Sequence, residues 1–122
     1  MREENDEVGE PELEIIKETQ NDIIIYRPKG HLNSNNAWEF EQTLFQEIST
    51  GSINMVVDFK YLDYISSAGI RVILRATKTI KRKDGRIMLC SMHHYVKEVF
   101  EISGVGSLLP IVATVDEALE AF

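Results

Sequence analysis

Apolar positions along the chain follow two rhythms that take turns. The runs Leu13–Thr19 (LEIIKET) and Ile23–Arg27 (IIIYR) are short and rich in β-branched residues, with Gln20-Asn21-Asp22 between them. Asn and Asp tolerate turn conformations, so the spacing predicts an antiparallel hairpin closed by Pro28 and Gly30. A polar segment, Gly30 to Asn35, is rich in helix N-cap residues. It leads into a predicted helix over Asn36–Ser49, where Ala37, Phe40, Leu44, Phe45 and Ile48 form one stripe and Trp38 lies off its centre. After Gly51 comes Ile53–Phe59 (INMVVDF), nearly continuous in apolar character, as expected of a central strand.

Tyr61 to Ile65 then reads as a crossover loop. A helix is predicted from about Ser67 to Lys83, with Ile70, Ile73, Leu74, Thr77 and Ile80 inward and Arg71, Arg75, Lys78 and Arg82 on another face; Asp84-Gly85 stops it. Arg86–Cys90 predicts a further strand, and Ser91–Ser103 a helix burying Tyr95, Val96, Val99, Phe100 and Ile102. Gly104 and Gly106 break that helix. Leu108–Val112 predicts a short strand, which Pro110 assigns to a sheet edge, and Val115–Phe122 a last helix capped by Thr114 or Asp116. The order is ββαβαβαβα. Such alternation implies parallel crossovers, so the expected fold class is α/β: a mixed sheet with helices mainly on one face.

Charge changes this picture in one respect. The net charge is −7 over 122 residues, yet residues 1–14 hold Glu3, Glu4, Asp6, Glu7, Glu10, Glu12 and Glu14 against Arg2 alone. The acidity therefore belongs to the beginning of the chain. Residues 1–11 are expected to be a flexible acidic tail ahead of one domain over 12–122. No basic stretch with interleaved aromatics points to nucleic acid, no run is long enough to span a membrane, and no signal-peptide pattern is seen. The cytoplasm is the expected location. The single cysteine, Cys90, sits in the apolar run IMLC and reads as a small buried hydrophobe.

The segment with chemical character is Ser66-Ser67-Ala68-Gly69, where a strand, a turn and a helix start follow one another. A serine there caps the helix by accepting an orphan backbone N–H. It also displays a hydroxyl where phosphate is electrostatically welcome, so capping and phosphorylation both fit. Ser67 has no evident base or oxyanion arrangement, and His31, His93 and His94 lack ligand spacing, so neither a nucleophilic enzyme nor a metal site is expected. Nor is Ser-Ala-Gly a phosphate-binding loop for nucleotides. Asp58 and Asp63 bracket the crossover and fit strand-end capping or partner contacts better than acid–base chemistry. The Arg71, Arg75, Lys78 and Arg82 face is either solvated or a positive rim for an acidic partner.

The run DFKYLDYISSAGIRVIL resembles the signature of STAS domains, in particular the stand-alone anti-sigma factor antagonists. The runs DGRIMLCSMHHYVKEVFEISGVGSLLPI and TVDEALEAF are similar to the rest of that family, and the resemblance covers residues 12–122. It implies a binding protein, not an enzyme, that needs no cofactor. Its partners would be an anti-sigma factor with serine kinase activity and a serine phosphatase that reverses the modification. The resemblance places the phosphoacceptor on Ser67, with Ser66 as a minor alternative, and Ser66 stands where the family often has Asp. It places partner contacts at Asn33, Ser34, Asp63, Ser66, Ala68, Gly69 and Arg71, with Asn33 replacing an Asp in the first loop. A STAS scaffold or sensor module without phosphorylation is the alternative function.

Overall fold

The computed structural model describes residues 11–51 and 54–122. The expected acidic tail, apart from Pro11, and the start of the strand at Ile53 lie outside the described residues. The elements are β1 (Leu13–Gln20), β2 (Ile23–Leu32), α1 (Ala37–Ser49), β3 (Asn54–Asp58), β4 (Leu62–Ile65), α2 (Ser67–Arg82), β5 (Arg86–Cys90), α3 (His94–Ile102), a 3₁₀ turn (Gly106–Leu108), β6 (Ile111–Val112) and α4 (Val115–Glu120). The strands lie in the order β1-β2-β3-β5-β6, and β4 pairs with the far end of β2. The β1–β2 pair is antiparallel and the other pairs are parallel.

The opening hairpin turns on Asn21 and Asp22, both left-handed with φ of 52° and 67°. A two-residue loop with both φ positive matches the twist of the flanking strands, which is why Asn-Asp serves there. β2 does not stop at Gly30, as expected from sequence. Gly30, at φ +107°, carries the strand through an irregularity, and a Cβ there would meet Glu12 O at 2.3 Å. Beyond it His31 and Leu32 pair with Tyr64 and Ile65. The expected crossover loop over Tyr61–Ile65 is thus mostly a strand, β4, whose partner exists only because β2 runs past its glycine.

Alternation along the strands divides the side chains between two faces. Ile24, Tyr26, Met55, Val57, Ile87 and Leu89 form the main core with Phe40, Leu44 and Ile48 of α1, Ile70, Ile73 and Ile80 of α2, and Val96 and Phe100 of α3. The other face is smaller: Ile23, Ile25, Val56 and Cys90 are covered by Ala118 of α4. The mixed α/β architecture and the one-sided helix layer agree with the sequence expectation, with α4 alone on the reverse. Phe59 and Phe100 meet edge to face at 6.0 Å and clamp α3 beside the end of β3. Burying each such ring is worth roughly 1.5–3 kcal/mol.

Two expected core residues of α3 are outside: Tyr95 is 51% and Ile102 80% exposed. α3 spans only His94–Ile102, and Val96 and Phe100 alone are fully buried on it, so its inner face is narrower than its apolar content. Leu108 likewise belongs to the 3₁₀ turn, not to a strand.

Candidate functional site

The site forms where β2 and β4 end side by side and α2 begins. Ser66 N–H donates to Leu32 O at 2.9 Å, tying the helix start to the end of β2. Ser66 is extended (φ −96°, ψ 172°), and its Oγ accepts from Gly69 N–H at 3.4 Å, so it is the N-cap. Its carbonyl takes the first helical bond, from Ile70 N–H at 3.1 Å. Ser67 is then the first helical residue and is exposed. With Ser66 occupied as the cap, the hydroxyl of Ser67 is displayed to solvent beside backbone N–H groups that no helical carbonyl can reach.

Gly69 is why the helix sits so close. A Cβ there would lie 2.7 Å from Leu32 Cγ and 2.9 Å from Ile65 Cγ1, both in the core. Gly69 is buried, and it seats the helix against the ends of β2 and β4. Ala68 is half-buried against the same core. Arg71 is exposed one turn beyond Ser67, on the same helical side.

The neighbouring loop is held by its own asparagines. Asn33 Oδ1 accepts from Asn35 N–H at 2.9 Å, and Asn36 Oδ1 accepts from Asn33 N–H at 2.9 Å. Asn36 Nδ2 donates back to His31 O at 2.9 Å, so its side chain fastens the loop to β2 and makes no cap bond to α1. An amide at position 33 thus performs the turn-forming work of a carboxylate without the charge. Ser34 and Asn35 are exposed on the loop.

Asp63 is exposed on β4, three residues before Ser66, and lines a recess with Pro11, Glu14, Lys29, Gly30, Lys60 and Tyr61. Asp58 is elsewhere again: buried on the α4 side, it accepts from Arg27 Nε at 3.0 Å and from Lys60 N–H at 3.0 Å. Its strand-end capping role is the one expected, and it makes no pair with Asp63. Arg27 also meets Glu18 at 2.6 Å; the Glu18 bond, ahead of the Asp58 bond, holds its guanidinium above the usual range despite some burial.

Two exposed aromatic residues, Tyr64 on β4 and Trp38 on α1, are not among the candidate site residues expected from sequence. Tyr64 packs edge to face with His31 at 6.0 Å, two residues before Ser66. Trp38, in the first turn of α1, is 70% exposed. The signal for Trp38 was its place off the apolar stripe; Tyr64 had none while its segment read as loop. The histidines are scattered: His93 Nε2 lies 2.6 Å from Lys60 O, His31 is on Tyr64, and His94 starts α3. Among the described residues no cluster of three or more His, Cys, Asp or Glu could hold a metal ion. Burial pushes the Cys90 thiol up to about 11, which leaves it protonated and unreactive at neutral pH. No helix among the described residues is long and apolar enough to cross a membrane.

The profile of the STAS domain family matches residues 14–118. The chain belongs to the STAS domain family. This STAS domain is 40% identical over 100 residues to BtrV of Bordetella bronchiseptica, named as a candidate anti-sigma factor antagonist, with 82% of this chain and 86% of that one covered. Its fold is similar to the crystal structure of TM1081 from Thermotoga maritima, again named as a candidate anti-sigma factor antagonist: TM-score 0.83, 25% identity, 88% of this chain and 92% of that one. It is also similar in fold to the Bacillus anti-sigma factor antagonist SpoIIAA, solved unphosphorylated (TM-score 0.76, 21% identity, 88% and 95% covered) and phosphorylated (TM-score 0.70, 20% identity, 88% and 98% covered).

Proposed function

We propose that this STAS domain is an anti-sigma factor antagonist whose binding is switched by phosphorylation of Ser67. The observation that carries the reading is the division of labour between adjacent serines. Ser66 caps α2 and is half-buried; Ser67 is exposed at the first helical position. Phosphate on Ser67 adds roughly −1.5 to −2 charge at pH 7 without removing the cap. The helix N-terminus favours that charge by about 0.3–1 kcal/mol, so the fold accommodates the modification.

The partner is an anti-sigma factor that is also a serine kinase, and a serine phosphatase reverses its action. Unmodified Ser67, Ser66, the Asn33–Ser34 loop and Arg71 form the contact, joined by Tyr64 and Trp38 as exposed aromatic anchors. Modification then places a desolvated dianion in an interface built around a hydroxyl. A penalty of about 1.4 kcal/mol already lowers affinity tenfold. Support comes from the name borne by BtrV and from the two forms in which SpoIIAA has been solved.

The test is to measure affinity for the cognate kinase-type anti-sigma factor by calorimetry. Ser67→Asp is expected to bind at least about tenfold more weakly than wild type, and Ser67→Ala about as well. Equal binding by wild type and Ser67→Asp overturns the switch.

A further inference from the structure

Seven of the chain's thirteen Lys and Arg residues lie between Arg71 and Arg86, against the single acid Asp84. The helix dipole accounts for Lys81 and Arg82 in the last turn of α2, but its effect fades beyond that turn. Arg75 is paired with Glu41 at 2.6 Å, and Arg86 donates to Ala121 O at 2.7 Å. Among the described residues Lys78, Lys81, Arg82 and Lys83 form no ion pair.

Beside these cations, among the described residues, the sheet edge lacks a strand partner at Ile87, which lies on the floor of a groove and is itself 3% exposed. β6 pairs with β5 only at Leu89 and Cys90. Leu89 N–H donates to Pro110 O at 2.9 Å, while Cys90 O accepts from Phe59 N–H at 2.9 Å on the opposite side. Peptide groups alternate sides along a strand, so the N–H and C=O of Ile87 point the same way as those of Leu89. No strand among the described residues pairs with Ile87 on that side. This stretch of edge lines a groove of about 400 Å³ with Thr77, Lys81, Arg86, Leu108 and Pro110. Leu108 is 67% exposed on its wall.

We propose that this groove is a second interaction surface, which takes an extended acidic segment of a protein partner as an added edge strand. The segment's backbone pairs with Ile87, its carboxylates meet Lys81 and Arg86, and an apolar side chain covers Leu108. Main-chain pairing supplies affinity in such recognition and the flanking side chains supply specificity. Charge complementarity selects the acidic occupant. Nucleic acid suits the groove less well: no aromatic side chain lines it for base stacking, and Leu108 and Pro110 put apolar surface beside its cations. Lysines beside an open edge also deter unwanted strand pairing, but a guard of that kind has no use for an exposed leucine. α2 is sixteen residues long, about 24 Å, so the groove at its C-terminal end is separate from Ser67 at its start.

The experiment titrates the full chain into a short fluorescein-labelled peptide of alternating Glu and Val, with amide exchange followed residue by residue. Saturable binding is expected, with slowed exchange at Ile87 N–H. The Lys81→Glu/Arg86→Glu double variant is expected to bind about tenfold or more weakly, and so is the chain toward a peptide with Gln for Glu. Leu108→Ser should weaken binding while its thermal midpoint confirms folding, and Ser67→Asp should leave binding unchanged. Absence of binding overturns the proposal. So does binding without protection of Ile87, or equal binding of a DNA duplex.

Discussion

The two ends of α2 solve opposite problems. Its N-terminus is closed: Ser66 caps it, the Ser66 amide is bonded to β2, and Gly69 packs where no larger residue fits. Its exposed side chains there are small and uncharged apart from Arg71, so an added phosphate would reverse the local charge. The C-terminus is the reverse. Among the described residues Lys78, Lys81, Arg82 and Lys83 form no ion pair, Ile87 of β5 has no strand partner on its outer side, and Leu108 lies exposed nearby. The contrast teaches that close backbone packing suits a site gated by one modification. An open edge with charge around it suits recognition that needs no gate.

The largest expected effect breaks the closed end. Gly69→Ala forces a methyl group into the space of Leu32 and Ile65, and it should destabilise the fold by about 1–3 kcal/mol in chemical denaturation. A loss near zero would mean that the helix start moves freely. Ser66→Ala comes next. Its bond is long, at 3.4 Å, so denaturant titration should show a loss of about 0.5–1 kcal/mol. Phosphorylation at the neighbouring serine should survive this change. A loss of modification with stability intact would reverse the roles assigned to the two serines.

A control away from both ends concerns pH. Cys90 is raised to about 11 by burial, so the folded state keeps its thiol proton after the unfolded chain, near 9, has released it. The associated stability is complete below pH 9 and is lost as pH rises through 11. Burial, with a hydrogen bond to Glu47, raises Tyr26 in the same direction. Thermal midpoints should therefore fall between pH 9 and 11, less steeply in Cys90→Ala than in wild type. Equal slopes would remove Cys90 from the explanation. A small stability effect belongs to the open end: Lys81→Glu with Arg86→Glu should cost about 1 kcal/mol in denaturation, from the reversed charge at the end of α2 and the lost Arg86–Ala121 O bond. A larger loss would make these cations structural.

Much of this arrangement was legible in the sequence. The hairpin, α1, the central strands and α2 follow from apolar periodicity, and the Ser66–Gly69 helix start from its cap chemistry. β4 was not legible. Its four residues are apolar only at Leu62 and Ile65, and its partner lies beyond an irregularity at Gly30, so neither period nor spacing announces it. Without β4, Tyr64 read as loop, and the Tyr64–His31 pair beside the site went unseen. Tyr95 and Ile102 failed for a different reason: apolar character marks a candidate for burial, and only tertiary packing decides which candidates are covered. The basic stripe was plain in the sequence. The open edge next to it was not, since it depends on where β6 starts.

The central claim is that Ser67, and not the capping serine beside it, carries the switch. It is tested most directly by incubating the protein with its cognate kinase-type anti-sigma factor and ATP, then locating phosphate by peptide mass spectrometry. The account predicts a single phosphate on Ser67, absent from Ser67→Ala and retained by Ser66→Ala. Undiminished phosphate in Ser67→Ala would contradict it.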